Sequence, residues 1–600
     1  METPNETTLP TEGVERASSS VERPMKSHAL DSSDEEAIGF EIDLDSLPKG
    51  YYTSRFFIGS MLATGIGLWA GVSAFGYAAP ILGHINEDIG PDPRYTWISL
   101  VYNAALAVCL APVGRLSDIF GRRYWFIGGG ILAVAGSIIC ATAKSIPVLI
   151  GGNVLLGVAS ATQLSFHFVM GELVPVKYRY MGNAFLYIFS IPGSGMGPSI
   201  AYAFIQRYPS VGWRGIYWLL LGANGTALAC WVLFYFPPSF NKKHRGEEQA
   251  SVAYWVRNFD YVGTSLFAVG FVVFLLGLSW GGNVYPWKSA ATIASIVLGT
   301  ITLIAFVLWE IYAPIKEPLV PMHLFKNVEW VAAVILLGLG AGVYYAFAII
   351  WPMQVTVLYG DGKSLDYIGA VSNIIGLGMI GGQITGGALA KKIGKTRYQV
   401  MGAFAVGAIF LACAAVATPD NKNTAIALIF LGCFWIGWNE SVCLSNSTIC
   451  VHDQRDIGIA GGMAGSIRAA ICAVLVAIYS SILTNRLTTT ISTDVPAALV
   501  GAGLPASSVA DFIAAISAGT ADAFAAVPGI SDAIVAVGLH AYKVANADAY
   551  RTVYLSTIAF SGVALAMSWY APNTESLMTE NVAATLHNEE TLEEKEMKPV

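Results

Sequence analysis

Six hundred residues would ordinarily fold as several water-soluble domains, but 54% of this chain is hydrophobic and 12% charged, with a mean hydropathy of +0.56. That balance excludes a soluble protein and places the chain in a membrane. The net charge of −7, from 34 basic and 41 acidic residues, sits at the ends: residues 1 to 50 hold 12 acids and 4 bases, residues 573 to 600 hold 7 and 2, and the stretch between is net basic.

The first tail, 1–50, is rich in Ser, Thr and Glu, with an acidic cluster from Asp31 to Glu36, and has too few apolar residues to offset the entropy of ordering. It is expected to be disordered. It lacks the basic start and short apolar core of a cleaved signal peptide, so targeting falls to the first span. Glu2 stands where N-myristoylation needs glycine.

Apolar runs long enough to cross a bilayer follow at 56–79, 97–113, 124–143, 147–170, 180–205, 213–236, 260–280, 289–312, 328–357, 367–390, 398–417, 424–448, 457–483 and 553–571. The runs are continuous rather than alternating, which predicts helices, and the chain reads as an all-α polytopic membrane protein with about fourteen spans. With the N-terminus in the cytoplasm, sixteen basic residues fall inside: Arg115, Arg122, Arg123, Lys177, Arg179, Lys242, Lys243, Arg245, Arg257, Lys316, Lys326, Lys391, Lys392, Lys395, Arg397 and Arg455. Seven fall outside: Arg94, Lys144, Arg207, Arg214, Lys288, Lys363 and Lys422. The asymmetry predicts that both termini are cytoplasmic.

The expected organisation is a tail (1–50), a six-helix bundle (51–238), loops with two extra helices (239–327), a second six-helix bundle (328–572) and an acidic tail (573–600). The second bundle includes a long outer loop, 484–551, where 506–518 and 531–548 have the composition of short helices. The sequons at Asn224, Asn439 and Asn446 fall in spans and the one at Asn5 in the cytoplasmic tail, so none is expected to carry glycan. The eight cysteines lie in or beside apolar runs with no metal or disulfide spacing, which reads as packing.

Between the second and third spans runs Gly114-Arg115-Leu116-Ser117-Asp118-Ile119-Phe120-Gly121-Arg122-Arg123. A carboxylate beside a basic cluster in a tight turn has the makings of a conformational latch, with Asp118 facing a helix N-terminus and the arginines meeting carboxylates or headgroups. Glu172 and Arg179 flank the next connection on that side and belong with it, and His167 is a candidate pH-sensitive member. Glu440 and Arg468 are predicted at similar depth on consecutive spans, facing each other. An intramembrane charge is a functional candidate by default; a protonatable carboxylate and a static packing pair are equally open readings.

Trp69, Asn103, Gln163, Asn373 and Gln383 are candidates for a substrate cavity, as are the aromatics Tyr77, Tyr344, Tyr345 and Trp351, with interhelical bonding and interfacial anchoring as the alternatives. Gly376-Leu377-Gly378-Met379-Ile380-Gly381 matches a dinucleotide fingerprint but lies inside a span, which points to helix packing. Leu389 to Thr396 lacks the first glycine of a phosphate loop. No catalytic constellation, metal-ligand spacing, cofactor motif or nucleic-acid-binding signature is present, so an enzyme is not expected.

The decapeptide from Gly114 to Arg123 resembles the signature of the major facilitator superfamily. Gly171-Glu172-Leu173-Val174-Pro175 with Arg179 is similar to its fourth-to-fifth span connection, and Gly193-Ser194-Gly195-Met196-Gly197-Pro198 resembles the antiporter motif of the fifth span, with Gly193, Gly197 and Pro198 as its marks. Gly387 to Arg397 is a weaker echo of the first loop without the aspartate. Asp260-Tyr261-Val262-Gly263 and Trp280-Gly281-Gly282 resemble the bounds of the seventh span in the fourteen-span drug:proton antiporters. From Asp43-Leu44-Asp45 through Trp97-Ile98-Ser99 to Ala549-Tyr550-Arg551 the chain most resembles the fungal trichothecene efflux pump family.

The resemblance implies two bundles rocking about a central site, and proton-driven export of an amphipathic secondary metabolite across the plasma membrane or an internal one. The implied partners are a small-molecule substrate, the lipid bilayer and protons. Asn153 departs from it, standing where the antiporters carry the fourth-span arginine linked to proton transfer. Siderophore-iron transporters share the span count, the long outer loop and the Ala-Tyr pair before the last span, so uptake of a ferric siderophore is the nearest rival; a transporter-like sensor is another.

Overall fold

The structure, a computed structural model, describes residues 50–237, 254, 257–281, 285–315, 318–451, 457–518 and 520–578. Residues 1–49 and 579–600 of the acidic tails, Gly282, Lys242, Lys243, Arg245, Lys316 and Arg455 lie outside them. Among the described residues every named element is helical. Twelve helices are long and apolar enough to cross a membrane: α1 (Arg55–Ile89), α2 (Trp97–Phe120), α3 (Arg122–Ala141), α4 (Ile146–Leu173), α7 (Gly212–Phe234), α8 (Tyr261–Trp280), α9 (Ala290–Tyr312), α10 (Val328–Tyr359), α11 (Leu365–Ile393), α12 (Thr396–Val416), α13 (Lys422–Ile449) and α14 (Ile457–Gly501).

The other two expected spans, 180–205 and 553–571, fall on helices outside that set. The first is split into α5 (Arg179–Tyr187) and α6 (Gly197–Arg207) by a 3-10 turn at Ile188–Ser190 and a π turn at Ile191–Gly195. Pro192 and Pro198 explain the break, because neither supplies the N–H that continues a helical ladder. The second is the end of α15 (Asp532–Ser568).

Local sequence sets the boundaries. Ser54, Ser289, Asn327, Ser364 and Ser531 each cap a helix by accepting from a backbone N–H three residues on. The turns between α2 and α3 and between α11 and α12 need a positive φ, and glycine supplies it at Gly121 (86°) and Gly394 (68°). The echo of the first motif thus reproduces its turn without its aspartate.

α3 packs on α4 and α7, α7 on α1, and α2 on α4; a second group joins α13 to α10, α11 and α12, and α15 to α10, α12 and α14. The groups meet where α2 crosses α14 and where α5 and α6 cross α11. The hairpin α8–α9 packs chiefly on itself and touches α2 and α14 through α8.

The outer loop is largely helical. α14 has 45 residues, about 68 Å at ~1.5 Å per residue, far beyond the ~30 Å of a bilayer core. Its far end, the helix Val509–Ala518 and the start of α15 enclose an apolar cluster including Val495, Leu499, Leu504, Phe512 and Ile534. The expected helices 506–518 and 531–548 are therefore present, the second merged into the last span. Arg486 pairs with Asp548, and Lys543 with Asp361 on the α10–α11 connection, so the cluster is anchored to the second group.

The hairpin depends on missing side chains. A Cβ on Gly299 would lie 2.4 Å from Phe274 N, and one on Gly277 would lie 2.7 Å from Ile296 N, so the backbones approach as only small residues permit. Gly299→Val is expected to destabilise the fold by about 1–3 kcal/mol through overpacking, read as a lowered melting temperature of the purified protein; an unchanged value would show that the hairpin opens without consequence.

Candidate functional site

The turn after α2 builds the first of three polar assemblies. Asp118 Oδ2 accepts from Ile459 N, in the first turn of α14, at 2.8 Å, where the helix dipole favours an anion. Arg122 is 2% exposed; its Nη2 lies 3.1 Å from Asp118 Oδ1 and 2.6 Å from Glu172 Oε1, and its guanidinium stands 5.2 Å from the Phe168 ring centroid. One buried cation thus joins two carboxylates from different helices, a charge-assisted arrangement well suited to an apolar setting.

Glycines make it possible, since a Cβ on Gly458 would be 2.0 Å from Asp118 Oδ1, and those on Gly114 and Gly462 would meet opposing backbone at 2.5 and 2.8 Å. Beside it, Arg179 Nη1 donates to Thr448 O at 3.1 Å, Asn183 to Ser445 Oγ at 3.0 Å, and Tyr180 bonds Asn446 and, at 2.8 Å, Thr574. Of the expected cluster, Arg123 stands apart. It donates to Val232 O at 3.1 Å and stacks 3.8 Å from Phe236, because the turn at Gly121 sends it to the α7 side.

The second assembly is a cavity between the two groups, enclosing about 60 Å³. Apolar walls from Leu68, Val72, Phe75, Leu110, Phe166 and Met379 are interrupted by Tyr187, Ser190, Ser194, Tyr344, Tyr345, His167, Gln383, Glu440 and Arg468. Glu440 Oε1 accepts from Arg468 Nε at 3.0 Å and also pairs with Nη2, while Oε2 accepts from Gln383 Nε2 at 3.0 Å. The volume admits a few waters, at ~10–15 Å³ each, and is well below the ~300 Å³ of a small ligand pocket. A substrate enters only if the groups part.

The third assembly closes the opposite face. Arg207 Nε and Nη2 lie 3.1 and 3.0 Å from Asp366 Oδ2, Gln206 accepts from Asp366 N at 2.8 Å, and Asn373 takes Ser199 N at 3.1 Å while donating to Ser199 Oγ at 2.8 Å. Nearer the cavity Phe75 meets Tyr345 edge to face at 4.8 Å. The Arg207–Asp366 pair is well exposed, and such pairs contribute little, so this side is the more easily opened.

Of the cavity candidates named from sequence, Gln383, Tyr344 and Tyr345 line it and the others bond elsewhere. Trp69 donates to Tyr77 OH at 3.0 Å, and that hydroxyl reaches Pro192 O at the α5–α6 break. Asn103 lies 3.5 Å from Ser99 O on its own helix, and Gln163 bonds Asn224 at 2.6 Å. Asn373 works in the third assembly, and Trp351 donates to Val371 O at 3.0 Å. An amide in an apolar medium takes the nearest partner, another helix for Gln163 and Asn373 and its own helix for Asn103.

His167 belongs to the cavity wall rather than the Asp118 cluster: its ring nitrogens face Leu164 O at 3.2 Å and Gly461 O at 3.4 Å. Tyr187, Ser190 and Ser194 are cavity residues that sequence reasoning missed; their signal was the proline-bounded break beside them. That break explains Gly193, Gly197 and Pro198. A Cβ on Gly193 would be 2.5 Å from Ser73 Oγ, on Gly197 2.6 Å from Gly76 O, and on Gly376, in α11, 1.8 Å from Ser194 O. Asn153 is buried away from the cavity, donating to Leu149 O at 2.9 Å and lying 3.4 Å from Tyr217 OH.

The family model described as fungal trichothecene efflux pump matches residues 7–597 of this chain. A trichothecene efflux pump of Fusarium sporotrichioides is 28% identical over 97% of this chain and 95% of its own length. An MFS-type transporter of Penicillium rubens is 29% identical over 89% of this chain and 94% of its own. Among solved structures, the human organic anion transporter MFSD10 aligns with a TM-score of 0.51 at 14% identity, over 85% of this chain and 99% of that one. The proton:xylose symporter XylE gives 0.50 at 16%, over 88% and 98%. These likenesses give the fold as that of a major facilitator.

Arg122→Ala leaves two buried carboxylates without their cation and is expected to cost roughly 3–5 kcal/mol; Arg122→Lys recovers part of it, lacking the planar fork. Melting temperatures of the two variants check the order, and equal losses would show that geometry rather than charge matters there.

Proposed function

This chain belongs to the fungal trichothecene efflux pump family, and from that membership we propose that it exports an amphipathic, trichothecene-like metabolite by exchange for protons. The observation that carries the coupling is the Glu440–Arg468–Gln383 cluster in the cavity wall, the ion pair nearest the place a substrate must occupy.

An ionised Glu440 offers acceptor oxygens to a substrate hydroxyl, and Arg468 offers donors to substrate oxygens. A proton on Glu440 removes the charge that holds Arg468 and weakens the acceptor. Proton and substrate then compete for one site, which is the condition for antiport, and the work falls on Glu440 rather than on position 153.

The two groups of helices rock about this cavity. With the Asp118 face in the cytoplasm, as the basic residues favour, the buried Arg122 cluster closes the inner mouth and the Arg207–Asp366 pair closes the outer one. Both termini are then cytoplasmic in the plasma membrane. Fourteen spans, counting α5–α6 and α15, satisfy this orientation.

The test is retention of a labelled trichothecene and of a labelled ferric siderophore in yeast stripped of its own pumps and siderophore carriers. Wild type is expected to lower toxin retention while the proton gradient lasts. Glu440→Gln, at matched abundance, is expected to lose most of that efflux, and its residual efflux should ignore the gradient. Raised iron-complex uptake with unchanged toxin would overturn the reading in favour of siderophore import. Toxin binding to purified protein that strengthens with acid would overturn antiport, since the proton and substrate would then bind together.

A further inference from the structure

The α8–α9 hairpin carries two acids that the transport site does not use. Asp260 caps α8: its Oδ1 accepts from Gly263 N at 2.8 Å and from Trp309 Nε1, on α9, at 3.0 Å. The next residue, Glu310, brings its carboxyl to the same spot, since a Cβ on Gly263 would lie 1.8 Å from Asp260 Oδ2 and 3.1 Å from Glu310 Oε1. Both acids are buried, Asp260 at 4% and Glu310 at 7% exposure. The amides of Val320 and Leu319 face Glu310, yet neither Glu310 oxygen nor Asp260 Oδ2 reaches a partner at hydrogen-bonding geometry.

Among the described residues neither acid has a Lys, Arg or His partner, and the charged group facing Glu310 is Asp260. Leu319 and Val320, whose amides face Glu310, belong to a buried apolar cluster with Phe306 from α9, Trp330 from α10, Ala111 from α2 and Ile459 from α14. Two anions this close and this dry are held together when one of them is protonated.

We propose that Asp260 and Glu310 bind one proton between them, and that this proton keeps the hairpin and its following segment docked on the first turn of α14. The site is linked to the Asp118 cluster through one residue. Ile459 shares a buried apolar cluster with Leu319 and Val320 and donates its N–H to Asp118. A rise of pH on that face removes the proton, sets two charges against each other across α8 and α9, and loosens the support behind Asp118. The inference does not depend on what is transported.

Infrared titration of the full-length protein in lipid discs tests it. Wild type is expected to keep a protonated-carboxyl carbonyl band at neutral pH; Glu310→Gln should remove that band and Asp260→Asn should shift it, since the proton then sits on Glu310 alone, while Glu440→Gln leaves it. Asparagine still caps a helix, so the second variant keeps its fold.

Melting temperature gives a second readout. The folded pair holds a proton that the unfolded chain gives up, so wild type should lose stability as pH rises from the unfolded carboxyl value, and the advantage of Glu310→Gln should widen over the same range. No band in wild type, a band left unchanged by either hairpin variant, or parallel melting curves for wild type and Glu310→Gln would overturn the proposal.

Discussion

A charge in an apolar medium must be neutralised where it stands, and the architecture of this protein follows from how it meets that demand. Arg122 is satisfied by carboxylates from α2 and α4, and Asp118 also takes the N-terminal turn of α14. Arg468 is satisfied by Glu440, whose second oxygen is held by α11. Each buried charge therefore ties neighbouring helices within one group, and of these contacts the Asp118–Ile459 bond carries the tie across to the other. A buried pair gives little net stability against an apolar substitute, but breaking it is costly, which makes such pairs effective as discrete catches.

Close backbone approach is the second requirement. Where the two groups of helices cross, glycines stand opposite backbone: Gly114 against Gly458 and Gly462, and Gly376 against Ser194. These contacts run over the α2–α14 and α5–α6–α11 crossings, the surfaces that alternate between closed and open in a rocking mechanism. Surfaces without side-chain interlocking can part and re-form without threading one side chain past another, which suits a two-state interface. The buried Arg122 cluster at one end and the exposed Arg207–Asp366 pair at the other make the two closures unequal.

Fourteen of the expected helical runs coincide with helices, because length and hydropathy are local properties of a segment. The α2–α3 motif and the pairing of Glu440 with Arg468 were also legible, each resting on a residue type that has few tolerable environments in lipid, an ionised group or a close-packed glycine, whereas the break in the expected span 180–205 was not foreseen. The cavity lining was not. Trp69, Asn103, Gln163 and Asn373 have the chemistry of binding residues, and the structure spends that chemistry inside the protein, Trp69 and Asn103 on their own helices and Gln163 and Asn373 between helices. Tyr187, Ser190 and Ser194 face the cavity, an outcome of helix rotation and of the π turn that no spacing rule specifies.

The sequence by itself determined that this chain spans a membrane as helices, that the Gly114–Arg123 segment forms a glycine-bounded turn, and that Glu440 and Arg468 lie within spans, since each follows from the transfer cost of a residue or of a short segment. Tertiary structure decided which partner each buried polar group takes. Arg123 went to α7 and His167 to the cavity wall, while Asp260 met Glu310 across the hairpin, some fifty residues along the chain. Those outcomes depend on helix rotation and depth, which are set by the packing of all the helices together and leave no mark on any single one.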